Sequence, residues 1–323
     1  MGQMTRRRVL VAGVLTAAGL TVSKIAGATP NGRLTIALVL KSLGDPFTFS
    51  MASAAQDYQK HFASQFDLSV LGTSTELDTA SQIRMVDALI EARTNAIVLA
   101  PTDSKALVPV VARAINAGII VIAMDNPLDE AALEAIRPPV PPVPFVGPDN
   151  RKGALMVANY AATKLTRGDE VGIIEGLAAD RNAQERTEAF KAAMNEAGMK
   201  VVAVAQGDWT YAKGRAVAAT MLAQHPRLRA LLCGNDNMAT GAVDAVRNAH
   251  RTGNVYITGY NNNPDIKALI NSGRILATVD QFAARQAVFG VDVALKALTE
   301  MTRQEDLSPF IETPLQLVKK GGR

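Results

Sequence analysis

The sequence predicts an α/β protein with parallel sheets in two similar lobes. Three observations predict it. Short aliphatic runs alternate with helical patterns. The alternation breaks once, at a proline-rich stretch, and then restarts. Several runs end abruptly in a polar side chain: Gly118–Ala123 leads to Asp125, and others end at Asn235, Asn261 and Gln281. Continuous apolar runs of this length mark strands buried on both faces of a parallel sheet. In open α/β sheets, ligands bind in the crevice beyond the strand C-termini. The chain therefore reads as a device that converges hydrogen-bonding groups on one small polar ligand.

The elements follow in order. Residues 34–40 (LTIALVL) form a strand, followed by a loop at 41–46. Asp45 caps a helix running from Pro46 to about His61, with proline at a tolerated first-turn position. A second strand lies near Leu68. A helix from Asp78 or Thr79 carries Ile83, Val86, Leu89 and Ile90 at spacings of three and four. Ala96–Ala100 is a strand, a helix runs from about Ser104 to Ala117, and residues 118–123 are the fourth strand. Such a βαβ series implies right-handed crossovers. Five prolines between Pro138 and Pro144 exclude a helix interior or a central strand, so residues 137–148 read as a stiff extended connection with a short strand at its end. From Asn150 the pattern restarts: helix to Leu165, strand 170–176, helix 182–197 ended by Gly198, strand 199–205, helix 211–224 and strand 228–234. Helix 238–250, strand 255–260, helix 264–271, strand 275–280 and a long helix 283–301 follow. The tail FIETPLQLV is extended.

Residues 1–28 read as an export signal. Arg6, Arg7 and Arg8 precede an apolar stretch from Val9 to Leu20, too short to span a bilayer comfortably, and Ala26-Gly27-Ala28 is a small-x-small cleavage site. The paired arginines resemble a twin-arginine signal, with Val9 where that pattern prefers phenylalanine. The whole chain has 34 basic and 30 acidic residues; the signal holds four basic residues and no acid, which leaves the remainder formally neutral. Charge thus gives no support for nucleic-acid or membrane-surface binding. The single cysteine, Cys233, sits in an apolar run and reads as a core thiol. The expectation is a soluble periplasmic protein without a lipid anchor.

Enzyme templates are missing. No GxGxxG follows a strand and no GxxxxGK[ST] occurs. His61, His225 and His250 are scattered, without metal-ligand spacing. No metal or cofactor is expected. A glycosidase-type carboxylate pair stays open here, because carboxylate separation is not readable from sequence. What remains suits a polyhydroxylated ligand. Asp125 can accept from adjacent hydroxyls and Arg186 can donate a fork of hydrogen bonds. Asn235, Asn261 and Gln281 donate and accept, and Phe47 and Trp209 offer flat faces. Singly, each has a plainer reading: Asp125 as a turn cap, Arg186 as a surface helix residue, Trp209 as core.

Together these residues resemble the ribose-binding-protein family of periplasmic sugar receptors, the type I solute receptors of ABC importers. The matching segments are IALVLKSLGDPF, APTDS, VIAMDN, FVGPDN, AQERTEAF, GNDNMATGA, TGYNNNPD and LATVDQ, in the family's order from Leu34 to Val318. The resemblance implies two Rossmann-like lobes joined by a three-strand hinge: residues 29–147 with 282–314, and 148–281 with 315–323. It implies crossings near Pro148, Gln281 and Pro314. It assigns Lys41, Asp45, Phe47, Asp125 and Asn126 to the ligand on the first lobe. On the second lobe it assigns Arg186, Trp209, Asn235, Asn261 and Gln281. It implies a non-enzymatic monomer that closes on a monosaccharide or sugar alcohol and docks on an ABC permease. A sensing receptor for chemotaxis shares that chemistry, and a secreted carbohydrate-active enzyme is a further alternative. Lys41, Asp45, Thr48, Asn126 and Asn261 depart from ribose-type pockets, which brings another pentose, a hexose or an acyclic polyol into consideration.

Overall fold

The computed structural model describes residues 32–322, so the export-signal reading of residues 1–28 lies outside the described residues. The first half runs β1 (Leu34–Ser42), α1 (Pro46–His61), β2 (Phe66–Thr73), α2 (Thr79–Glu91), β3 (Ala96–Leu99), α3 (Val108–Asn116), β4 (Ile120–Met124), α4 (Glu130–Ala135) and β5 (Phe145–Gly147). The second runs α5 (Asn150–Ala162), β6 (Glu170–Glu175), α6 (Arg181–Glu196), β7 (Lys200–Gln206), α7 (Tyr211–Gln224), β8 (Leu228–Cys233), α8 (Asp236–Asn248), β9 (Tyr256–Thr258), α9 (Ile266–Asn271) and β10 (Ala277–Asp280). Then come α10 (Ala283–Thr299), β11 (Phe310–Glu312) and β12 (Gln316–Lys319).

These strands make two six-stranded sheets, ordered β11-β5-β4-β3-β1-β2 and β12-β10-β9-β8-β6-β7. The order is the same in both, which is the predicted pair of similar α/β lobes. Pairing is parallel throughout except between β10 and β12. The chain passes between the sheets after β5, after β10 and between β11 and β12.

The two-residue period of a buried strand explains the layering. On β1, Ile36, Leu38 and Leu40 pack with Met51 of α1 and with Ala287 and Val291 of α10. The alternate residues Ala37 and Val39 pack with Val86 of α2 and Val111 of α3. Each side chain of this size, once buried, contributes about 1.5–3 kcal/mol relative to exposure. On β8, Leu231 and Cys233 face one core and Ala230 and Leu232 the other. Burial pushes the Cys233 thiol far above its ordinary value. Among the described residues no helix is long and apolar enough to cross a membrane.

Two elements differ from expectation. The third helix begins at Val108 instead of Ser104. Pro109 fits only a first turn, and Asp103 already caps a separate turn through Lys105 N and Ala106 N, both at 2.8 Å. The short helix α4 went unpredicted; Asp129 caps it by accepting from Ala132 N at 2.7 Å.

Candidate functional site

The strand C-termini of the two sheets face each other across a small cleft lined from both sides. From the first lobe come Lys41, Asp45, Phe47, Thr48, Glu76 and Asp125. From the second come Asn182, Arg186, Trp209, Asn235, Asn261 and Gln281. The structure thus brings nine of the ten predicted site residues to one cavity. Asn126 does not line it. Its side chain is fully buried in the seam between the lobes, donating to Pro101 O at 3.0 Å and accepting from Ser104 Oγ and Asn182 N, both at 3.2 Å.

The second wall is fixed by its own lobe and, at Gln281, by Gln286 of the hinge. Arg186 is 2% exposed. Its Nε donates to Asn150 Oδ1 at 3.0 Å, Nη1 to Gly234 O at 3.0 Å and Nη2 to Gln281 Oε1 at 3.3 Å. The guanidinium lies 3.8 Å from the Tyr260 ring centre, a favourable cation–π placement. No carboxylate among the described residues forms an ion pair with it. Gln281 Nε2 donates to Asn261 Oδ1 at 2.7 Å. Asn235 caps α8 by accepting from Met238 N at 2.9 Å and donates to Trp209 O at 2.9 Å. Gly176 makes room for the Trp209 ring, which a Cβ at that position would overlap.

The first wall is ionic. Lys41 Nζ lies 3.0 Å from Asp180 Oδ2 and 3.5 Å from Asp125 Oδ2. Burial alone would lower its pKa. The carboxylates of Asp180, Asp125 and Glu76 outweigh that and hold the ammonium well above its ordinary value. Asp45 has two tasks: one oxygen accepts from Phe47 N at 2.8 Å as the α1 cap, and the other accepts from Asn237 of the opposite lobe. Glu76, in the loop after β2, is half-buried and pushed up to about 7. Burial is the main cause, opposed by Lys41 and reinforced by Asp45, Asp180 and Asp125.

Three cleft residues hold left-handed backbone: Asp125 at φ 62°, Trp209 at φ 62° and Asn261 at φ 127°. Aspartate and asparagine tolerate positive φ better than a bulky residue, so Trp209 is the strained one. Asn182 is 2% exposed, and its Oδ1 has no hydrogen-bond partner. Such an acceptor on a cavity wall suits a ligand hydroxyl, since buried polar atoms are almost always paired. Sequence reasoning missed Glu76, Asn182 and Asp180. Glu76 carried no signal beyond a polar loop, whereas Asn182 stands at the start of a predicted helix and Asp180 in the short loop that joins it to the preceding strand.

Among the described residues no group of His, Cys, Asp or Glu is arranged to hold a metal ion. The walls hold the groups that pair with hydroxyls: carboxylates, amides, one ammonium and one guanidinium.

Comparison with known proteins agrees with this geometry. Residues 36–301 match the family model described as a periplasmic binding protein domain. The D-ribose/D-allose-binding protein of Pseudomonas aeruginosa is 50% identical over 320 residues, covering 98% of this chain and 99% of that protein. The D-allose-binding periplasmic protein of Escherichia coli is 32% identical, over 86% and 88% of the two chains. An ABC-transporter solute-binding protein from Burkholderia multivorans superposes with a TM-score of 0.85 at 54% identity, over 89% of this chain and 99% of that one. Its crystal structure holds an unknown ligand represented as α-D-erythrofuranose. A solute-binding protein from Actinobacillus succinogenes with bound D-allose gives a TM-score of 0.82 at 29% identity, over 89% and 98% of the two chains. With a family match over most of its length and relatives this similar from end to end, the chain belongs to the periplasmic binding protein family, among the sugar-binding receptors of ABC importers.

Proposed function

We propose that this chain captures a neutral aldose of the ribose and allose type between its lobes and delivers it to the permease of an ABC importer. The observation that carries the reading is one small cavity with opposed hydrogen-bonding walls from two lobes, one of them offering the unpaired Asn182 Oδ1. The name of the P. aeruginosa relative supports the ligand class. In their pyranose forms D-ribose and D-allose share the configuration of the ring hydroxyls and differ by the hexose's hydroxymethyl. The carboxylates of Asp45, Glu76 and Asp125 face one ammonium, Lys41, so the first wall disfavours an anionic ligand.

In this reading Asp125 accepts from adjacent hydroxyls and Arg186 donates to them from the other side. Phe47 and Trp209 cover the C–H faces of the ring. Asn235, Asn261 and Gln281 donate and accept, and Lys41 donates. Residues 32–147 with 282–314 move as one body and 148–281 with 315–322 as the other, about the three crossings. The sugar stabilises the closed form because only that form gives it both walls. Discrimination follows from the cost of leaving a buried polar group unpaired, about 1–3 kcal/mol. The protein acts as a monomer in the periplasm and releases its sugar chemically unchanged.

Thermal unfolding of residues 29–323 against pentoses, hexoses and pentitols tests this. A ligand at a hundredfold excess over its Kd adds about 2.7 kcal/mol of stability. The expected result is a raised midpoint with D-ribose, D-allose or both, with the sugar recovered unaltered. No shift from either, in protein unfolded, dialysed and refolded to remove carried-over ligand, overturns the assignment.

A further inference from the structure

Asp180 occupies the N-cap position of α6 with the extended backbone of a capping residue, φ −92° and ψ 122°, yet its carboxylate makes no bond to its own helix. It is fully buried. Its Oδ2 accepts from Lys41 Nζ at 3.0 Å and from Trp209 Nε1 at 2.8 Å, and its Oδ1 accepts from Asn126 Nδ2 at 3.4 Å. Two of these three donors belong to the other lobe. The amides that Asp180 leaves free are taken up from that lobe as well. Arg181 N donates to Ser104 Oγ at 3.1 Å, and Asn182 N donates to Asn126 Oδ1 at 3.2 Å. Ser104 N closes the seam by donating to Ala179 O at 3.2 Å. The start of α6 is therefore capped in trans.

Separation of the lobes would strip both ends of this arrangement. The first amides of α6 would lose Ser104 and Asn126, and Asp180 would lose Lys41 and Asn126. An aspartate at an N-cap position that keeps only its Trp209 bond, beside unpartnered helix amides, has an obvious new partner, since capping its own helix is the ordinary role of that residue there. We propose that Asp180 is a two-position positioning residue: in the closed protein it orients Lys41 and Trp209 toward the cleft, and in the open protein it caps α6. It thereby couples the order of the binding site to lobe closure without touching the ligand. Among the described residues it is the carboxylate that accepts from cleft residues of both lobes, Lys41 from the first and Trp209 from the second.

The effect on sugar affinity rests on the receptor reading; the effect on closure does not. Asp180→Asn separates the two positions, because asparagine caps a helix as well as aspartate does but cannot neutralise Lys41 or accept from three donors. Spin labels on exposed positions of α2 and α7 give the ratio of closed to open protein without sugar. Asp180→Asn is expected to lower that ratio about tenfold, the scale of one charged hydrogen bond. Ser104→Ala, which removes a trans cap outside the cavity, should lower it severalfold. Ratios equal to wild type in both variants overturn the proposal. In a second arm, the Kd for D-ribose and D-allose is measured in Asp180→Asn, Lys41→Met and the double variant. If Asp180 acts in part through Lys41, the loss in the double variant is smaller than the product of the two single losses, the remainder being its hold on Trp209. Independent, multiplying losses overturn the positioning role. A wild-type protein that binds neither sugar defeats the receptor reading and leaves the distance measurement to decide this one.

Discussion

The cleft wall of the first lobe is ionic, and the wall of the second is built from amides, an indole and one guanidinium. The two lobes share a strand order, so the contrast comes from the side chains at the strand C-termini and on the loops and helices that follow them. It is also a contrast in how each wall is held. Arg186, Asn261 and Asn235 take their hydrogen bonds from within the second lobe, and Gln281 adds one from Gln286, five residues on at the hinge. Lys41 takes its closest partner, Asp180, from across the cleft, and Asp45 is bonded to Asn237 from across it as well. The second wall is therefore arranged before the lobes meet, and the first is completed by their meeting. Prearranged groups lose less entropy on binding, so the second wall reads as the landing surface and the first as the closing one.

The contrast can be broken most severely at Arg186. Arg186→Ala removes three donors at once and leaves Asn150 Oδ1, Gln281 Oε1 and Gly234 O short of partners. Both sugar affinity and unfolding free energy should fall, each by at least about 2 kcal/mol. Asp125→Ala should cost similar affinity in calorimetry but much less stability, because Asp125 is held only by a 3.5 Å ion pair and a left-handed backbone. Equal stability losses in the two variants would erase the distinction between the walls.

A smaller effect is expected at Gly176. Alanine there collides with the Trp209 ring. Forcing a methyl into a packed site costs about 1–3 kcal/mol. Melting and titration should show weaker binding in a variant that changes no charge and no hydrogen bond. Asn182→Ala should lower affinity by about 1–3 kcal/mol with a lesser effect on the sugar-free protein, since its Oδ1 bonds to nothing there.

The smallest effect is a pH dependence on the ionic wall. Glu76 in the folded protein is pushed from its ordinary 4.5 up to about 7. Between those values the unfolded chain has already lost the proton that the folded chain keeps. Stability from this group is therefore lost as pH rises through that window, and levels above it. In Glu76→Gln, unfolding free energy measured across the window should fall less with pH than in wild type. Identical slopes would show that Glu76 titrates alike in both states.

Much of this was legible in the sequence because it depends on local pattern. Asp125, Asn235, Asn261 and Gln281 each end an aliphatic run, and the parallel sheet places such ends together. Arg186 and Trp209 were singled out by their chemistry and placed on the second lobe by motif resemblance. The rest depends on distant pairs. Asp180 and its partner Lys41 are 139 residues apart, and no period or spacing connects them. Asn126 was assigned to the ligand by resemblance; its side chain is taken up in the seam by Pro101, Ser104 and Asn182. Asn182 was read as an ordinary helix residue, since an orphaned oxygen exists only once the opposite lobe covers it.

The long helix α10 has a consequence for the order in which the protein is made. It follows the last parallel strand of the second sheet, yet Ala287 and Val291 pack against Ile36 and Leu38 of the first. The nascent first lobe therefore carries an apolar sheet face covered only in part, by α1, until synthesis has passed residue 299. The second lobe is nearly continuous from residue 150 to 280 and lacks only the antiparallel edge strand β12. Domains generally complete in order of synthesis; here the half begun first is finished last. Chains that stop before Ala283 should be held by chaperones or aggregate, while the second half alone folds.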